Sequence, residues 1–250
     1  MEARPYVIAG LIFMIKNIFL DAGYTLVYPK SFDWLYPVNF FDFCDKELFL
    51  KIAESDKYKK LYAKGYKYLD DNHLLKDEND EYDVFCEFYK IILIPFPELK
   101  FDREKIKTAA KSWVFNYCRE DLYADVKDML EKWKSEGYKL GIISDNFPSI
   151  VSIFKHYGIY GYFDVFVKSC DYGVFKPHET MYLSALNPLN AKGEESVFVD
   201  DGTKNLDGAA KFNINPIQIA RSNNNHAYLE EVKYPKFENL IEIDRYIKSL

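Results

Sequence analysis

The sequence predicts an α/β fold: a doubly wound parallel sheet with an inserted all-helical domain. Three features carry the prediction. Short apolar runs at 15–21, 139–144 and 196–201 each end in a polar residue, as strands buried on both faces do. Helix-period segments separate the later runs, so strand and helix alternate. Residues 31–118 break that alternation, because every periodic segment in them reads as a helix.

From the N-terminus, Arg4 followed by the apolar run Val7–Ile15 faintly imitates a signal peptide. Lys16 and Asn17 interrupt the run, and the favoured reading takes Met14 as the start and residues 1–13 as an upstream extension. The first strand, 15–21, ends in Asp21. Helices are expected over 45–53, 56–69, 80–93 and 102–118, with the Ile94-Pro-Phe-Pro97 break between the last two. In the last, Ile106, Ala109, Ala110, Trp113 and Tyr117 share a face. Asp125 is expected to cap a helix that buries Val126, Met129, Leu130 and Trp133 and stops at Gly137. Strand 139–144 follows, and then a helix opened by Pro148 that ends near Gly158. Strand 161–168, a helix after Pro177, strands 196–201 and 215–220, a turn at Ser222–Asn225 and a closing amphipathic helix over 239–249 complete the chain. The expected domains are an α/β core of 1–30 with 119–250 and a helical domain of 31–118, hinged near Val27–Ser31 and Cys118–Leu122.

The composition narrows the function. In 250 residues, 48% are hydrophobic and 29% charged, the balance of a globular protein. A net charge of −6 without a basic block argues against nucleic acid or an anionic membrane as a partner. The four cysteines and four histidines lack zinc-ligand spacing, and the thiols read as reduced. No apolar run is long enough to span a membrane. A cytoplasmic protein, monomeric or homodimeric, is expected. The aromatic content is high, at 18%, and the helical insertion is rich in it; a packed aromatic core accounts for most of these rings.

In an open α/β sheet the ligand site lies beyond the carboxyl ends of the strands. Here those ends carry Asp21, Ser144 and the pair Asp200–Asp201. Three carboxylates brought together repel unless a cation joins them, and hard oxygen donors suit Mg²⁺. Gly23 lets backbone approach a ligand closely. Lys176, before Pro177, offers a point charge to a phosphoryl group, and Ser144 offers a hydroxyl at a strand-to-helix turn. The acidic stretches Asp70–Asp71 and Asp77–Asp83 lack calcium-loop spacing and read as a solvated helix connection. His73 and His226 read as solvated turns.

These motifs together resemble those of the haloacid dehalogenase superfamily of phosphatases and phosphotransferases. The likeness rests on Phe19-Leu-Asp-Ala-Gly-Tyr-Thr-Leu26, Gly141-Ile-Ile-Ser144, Lys176-Pro177 and the segment from Val197 to Ala209. It implies a Rossmann-like core with a helical cap inserted after the first motif. It further implies Asp21 as the nucleophile that becomes an aspartyl phosphate, with Lys176 also catalytic. Asp21, Asp200, Asp201 and the Gly23 carbonyl would hold Mg²⁺, and Ser144, Asp145, Thr25 and Lys176 would bind the substrate's phosphate or support the loop that does. A small phosphorylated molecule is the implied substrate. One departure matters: the family's phosphatases carry a second Asp two residues after the nucleophile, and here that position is Gly23. A missing general acid costs roughly 10²–10⁴ in rate. A substrate with a good leaving group removes the need for it; alternatively Tyr24, Asp145 or Asp33 serves in its place. Carbon–phosphorus or carbon–halogen cleavage, and a non-catalytic binding protein on the same scaffold, remain as alternatives.

Overall fold

The computed structural model describes residues 14–224, 227 and 232–250. The reading of 1–13 as an extension, Asn225 of the expected turn and His226 lie outside the described residues. Along the chain run β1 (Asn17–Leu20), β2 (Val27–Pro29), α1 (Lys46–Ala53), α2 (Asp56–Asp71), α3 (Glu78–Leu93), α4 (Arg103–Val114) and β3 (Glu120–Leu122). Then come α5 (Val126–Ser135), β4 (Lys139–Ser144), α6 (Ile150–His156), β5 (Val165–Lys168), α7 (Glu179–Leu189), β6 (Ser196–Asp200), α8 (Thr203–Ala210), β7 (Asn215–Ile219), β8 (Lys236–Phe237) and α9 (Leu240–Ile247).

The described residues divide into two compact units. The first holds those up to Tyr28 with Leu122–Asn146 and from Tyr157 onward; the second holds Pro29–Asp121 and Phe147–His156.

The first unit is the α/β unit. Its six-stranded sheet has the order β5-β4-β1-β6-β7-β8, and every neighbouring pair is parallel. β1 is central, with all four of its residues buried, so its apolar run needs no polar face. Phe19 lies in register with Gly141 on one side and Phe198 on the other. A Cβ on Gly141 would stand 2.6 Å from Val165 and 2.7 Å from Phe19, so only glycine fits there. Phe19, Ile143, Met181, Tyr182, Phe198 and Leu206 belong to one buried cluster of the sheet and its helices.

The second unit is helical. Asp45, Ser55, Asp77 and Asp102 each accept a backbone N–H as N-cap; the starts near 45, 56 and 102 are as expected, whereas α3 opens at Glu78, two residues before the expected 80. Phe40, Phe49, Phe85, Phe88, Tyr89 and Trp113 are buried within it, and Phe85 stacks on Trp113 at 3.6 Å.

Several expectations change in detail. α4 ends at Val114, and Tyr117 lies beyond it, donating to Glu78 at 2.8 Å. The strand expected from 161 begins at Val165, because Tyr160–Tyr162 forms a 3₁₀ turn. Asp125 precedes α5 but does not cap it with its side chain. His73 is buried against Phe147 rather than solvated, and burial pushes its pKa down to about 4.

Glu81, expected in solvent, is fully buried. Its carboxylate accepts Ser149 N at 2.8 Å and Ser149 Oγ at 2.5 Å, and Ser149 Oγ accepts Arg119 at 2.7 Å. Arg119 lies 4.2 Å above the Trp113 ring and donates to its carbonyl at 3.0 Å. This network joins residues 147–156 to the helices of the second unit. Burial outweighs the Arg119 charge and the Ser149 hydrogen bonds, raising the Glu81 pKa from 4.5 to about 7.

A raised carboxyl pKa means that the folded chain binds more protons than the unfolded one between these two values. The associated stability is complete below pH 4.5 and is lost as the pH rises through 7. Glu81→Gln keeps an acceptor for Ser149 N and removes this loss. In urea titrations its stability relative to wild type should rise by up to about 3 kcal/mol between pH 4.5 and 7. A constant difference across that range contradicts the assignment.

Candidate active site

The strand order places the carboxyl ends of β4, β1 and β6 side by side, with Ser144, Asp21 and Asp200 at them. Asp21 follows β1 directly, and its N–H donates to Val199 O at 2.9 Å, extending the ladder by one residue. Lys176 Nζ lies between two carboxylates, donating to Asp21 Oδ1 at 2.6 Å and Asp200 Oδ2 at 2.7 Å. All three side chains are at most 9% exposed. The Lys176 backbone N–H donates to Asp145 Oδ1 at 2.9 Å, which ties the lysine's loop to the end of β4.

Asp200 is held further by Gly202 N at 2.7 Å and by the Asn205 amide at 3.1 Å. Asp201 turns to a different partner: its Oδ2 accepts Asn224 Nδ2 at 2.6 Å. Ser144 is buried at the end of β4. Thr25 is buried, and its Oγ1 has no hydrogen-bond partner among the described residues.

The loop after Asp21 is a tight turn. The Ala22 carbonyl accepts N–H groups from Thr25 (3.3 Å), Leu26 (2.8 Å) and Val27 (3.0 Å), and Tyr24 N donates to Val27 O at 2.8 Å. Tyr24 has φ 50°, a left-handed conformation that costs a non-glycine residue about 1 kcal/mol. Gly23 has no side chain to give, so the loop offers no carboxyl two residues after Asp21. Of the substitutes considered, Tyr24 lies in this loop and Asp145 in the same unit. Asp33 belongs to the helical unit, where its carboxylate accepts Leu35 N at 2.8 Å.

The electrostatics follow from four carboxylates sharing one buried ammonium. Burial raises the Asp21 pKa to about 6; Lys176 opposes the shift, while Asp200 and Asp145 add to it. Burial and repulsion from Asp200 and Asp21 raise Asp201 to about 8. Burial also raises Asp145, against the pull of Lys176. Burial disfavours the Lys176 cation, yet Asp200, Asp21 and Asp145 together hold its pKa well above the ordinary value. Among the described residues no three His, Cys, Asp or Glu side chains are already gathered to hold one metal ion.

This fold finds counterparts among known proteins. Residues 39–213 match the model of a family described as haloacid dehalogenase-like hydrolase. The chain belongs to that family. The match starts beyond Asp21, so the first loop is read from its own geometry. The pyrophosphatase PpaX of Bacillus cereus is 29% identical over 140 residues, 54% of this chain and 65% of that protein. The (S)-2-haloacid dehalogenase 4A of Burkholderia cepacia is 30% identical over 128 residues, 51% of this chain and 54% of that one. This chain thus spans less than two thirds of the length of these relatives. Among solved structures, a HAD phosphatase from Thermococcus onnurineus matches with a TM-score of 0.62 at 20% identity, covering 93% of this chain and 98% of that one. The L-2-haloacid dehalogenase of Xanthobacter autotrophicus matches with a TM-score of 0.61 at 18% identity, covering 95% and 100%. These likenesses establish a hydrolase family and its fold.

The sequence alone missed Asn224 and the role of Asn205. An Asn in an Asn-rich turn carries no signal of its own. Asn205, five residues after Asp200 on the first turns of α8, was legible as a neighbour but not as a hydrogen-bond donor.

Lys176→Met leaves Asp21 and Asp200 buried and unpaired. It should destabilise the protein by about 3–5 kcal/mol at pH 8, and by less at pH 5, where the carboxylates take up protons. Equal losses at both pH values in chemical denaturation would contradict the reading of Lys176 as the shared counter-ion.

Proposed function

We propose that the protein is a Mg²⁺-dependent phosphatase acting on a small phosphorylated molecule with a good leaving group. The observation that carries this reading is the carboxylate of Asp21, at the tip of the central strand, paired with Lys176 beside the acidic residues Asp200 and Asp201.

The donor chemistry fits a hard divalent cation. Burial, with repulsion between the neighbouring carboxylates, pushes Asp21 and Asp201 up, and all the donors are oxygens. Asp21, Asp201 and the Gly23 carbonyl would hold the ion, with Asp200 beside them. When bound, it would neutralise charge on the transferring phosphoryl oxygens.

This chain's own residues supply the rest. The Asp21 carboxylate attacks phosphorus, the bond from phosphorus to the leaving oxygen breaks, and an aspartyl phosphate forms. Lys176 and the Ser144 hydroxyl hold the phosphoryl oxygens, with Thr25 and Asp145 fixing the loops on either side. Water then attacks phosphorus, releasing phosphate and restoring Asp21. With Gly23 in place of an acid, the leaving oxygen departs as a stable anion, as an aryl or acyl phosphate allows. The helical unit is read as the cap that selects the substrate, in a cytoplasmic enzyme. The similarity to a haloacid dehalogenase favours a second reading, carbon–halogen hydrolysis; the acidic pair Asp200–Asp201 favours phosphorus.

The test is hydrolysis of p-nitrophenyl phosphate, a simple alkyl phosphate and 2-chloropropionate, each with Mg²⁺ and with EDTA. The aryl ester should turn over at least about 10²-fold faster than the alkyl ester. It should do so only with Mg²⁺, and Asp21→Asn should abolish it. Turnover of the chloro acid alone, indifferent to EDTA, contradicts the proposal.

A further inference from the structure

The segment after β7 carries no residue of the four motifs, yet it reaches the site from two directions. Arg221 is buried, and its guanidinium donates twice to the Thr25 carbonyl, at 2.9 and 3.3 Å. Its third bond goes to Asp125 Oδ2 at 2.8 Å, and the same oxygen accepts Leu240 N at 2.7 Å. Oδ2 of Asp125 is thus engaged by two donors, while its Oδ1 finds no hydrogen-bond partner among the described residues. The guanidinium also lies 4.1 Å from the centre of the Tyr123 ring. Tyr123 N donates to Leu26 O at 3.1 Å, and Tyr123 OH donates to Asn223 at 2.5 Å.

Three residues on, Asn224 is also buried. Its Oδ1 accepts Ala227 N at 3.4 Å, which turns the amide nitrogen toward Asp201. The chain between them is a turn closed by Asn224 N donating to Arg221 O at 2.9 Å. One short turn therefore grips both the loop that follows Asp21 and the carboxylate of Asp201.

We infer that Arg221 and Asn224 are positioning residues of the Asp21–Asp201 site. Arg221 fixes the loop carrying Asp21 and Gly23 by holding the Thr25 carbonyl in a two-donor fork, which a lysine cannot reproduce. Asn224 fixes the orientation of the Asp201 carboxylate. The Asn224 half rests on the proposed metal-binding role of Asp201; the Arg221 half rests only on loop geometry.

The experiment has two arms. In the first, amide hydrogen exchange is followed by mass spectrometry in wild type and Arg221→Lys, which keeps a cation for Asp125 while removing the fork. Exchange over residues 22–27 should rise about tenfold, with β4 and β6 unchanged. Unchanged exchange in that loop, or an equal rise across β4 and β6, overturns the Arg221 assignment. In the second arm, Mg²⁺ is titrated calorimetrically into wild type and Asn224→Ala, with melting temperatures recorded to show that both are folded. Affinity should fall about 10–100-fold in the variant. An unchanged Mg²⁺ affinity overturns the Asn224 assignment. A wild type that takes up no Mg²⁺ overturns the proposed function together with the Asn224 half, and leaves the exchange arm to decide the Arg221 half.

Discussion

The buried ammonium of Lys176, within 2.7 Å of both Asp21 and Asp200, is the constraint on which the α/β unit's functional end depends. Parallel strands bring their carboxyl ends to one edge, and this chain places an acid at two adjacent ends. Without a cation there, burial and repulsion would drive protons onto both carboxylates or force the strand ends apart. One lysine is shared by four acids, and burial together with their mutual repulsion raises Asp21, Asp145 and Asp201 despite it. Because these folded-state pKa values are raised, the contribution of the three carboxyls to stability falls as the pH rises.

Much of this was legible in the sequence. The strands around Asp21, Ser144 and Asp200 are short apolar runs with no polar face, and the six-stranded parallel sheet has them at its centre. The helix starts at Asp45 and Asp102 were legible because capping is local chemistry, written within four residues; the Asp77 cap was not, because it sits in an acidic stretch that reads as solvated. Asp21, Ser144 and Asp200 were legible as a group because parallel topology brings strand ends together; Lys176, in the loop between β5 and α7, lies at no strand end, and its pairing with both Asp21 and Asp200 was not legible.

What the sequence hid has a common cause. Glu81, His73, Asp125 and Asn224 all look like surface residues, since each sits in a polar stretch. Each meets a partner distant in the chain: Glu81 meets Ser149, His73 the Phe147 ring, Asp125 Arg221, and Asn224 Asp201. Local pattern reports whether a residue is polar; it does not report whether a distant residue satisfies it. Residues 147–156 show the same limit at the level of domains, for Glu81 and Arg119 hold that segment among the helices. The swap of character in the first loop, glycine at 23 and tyrosine at 24, was visible as letters. The left-handed backbone of Tyr24, which keeps the turn closed at some cost, was not.

The proposed function requires the Asp21 carboxylate to be the group that accepts phosphorus. The direct measurement is to mix enzyme with an excess of aryl phosphate, quench with acid within milliseconds, reduce with borohydride and map the peptides by mass spectrometry. Borohydride reduces an acyl phosphate to an alcohol and leaves a free carboxylate intact, so position 21 should appear as homoserine. Steady turnover with an unreduced Asp21, or reduction at another carboxylate, would contradict the account.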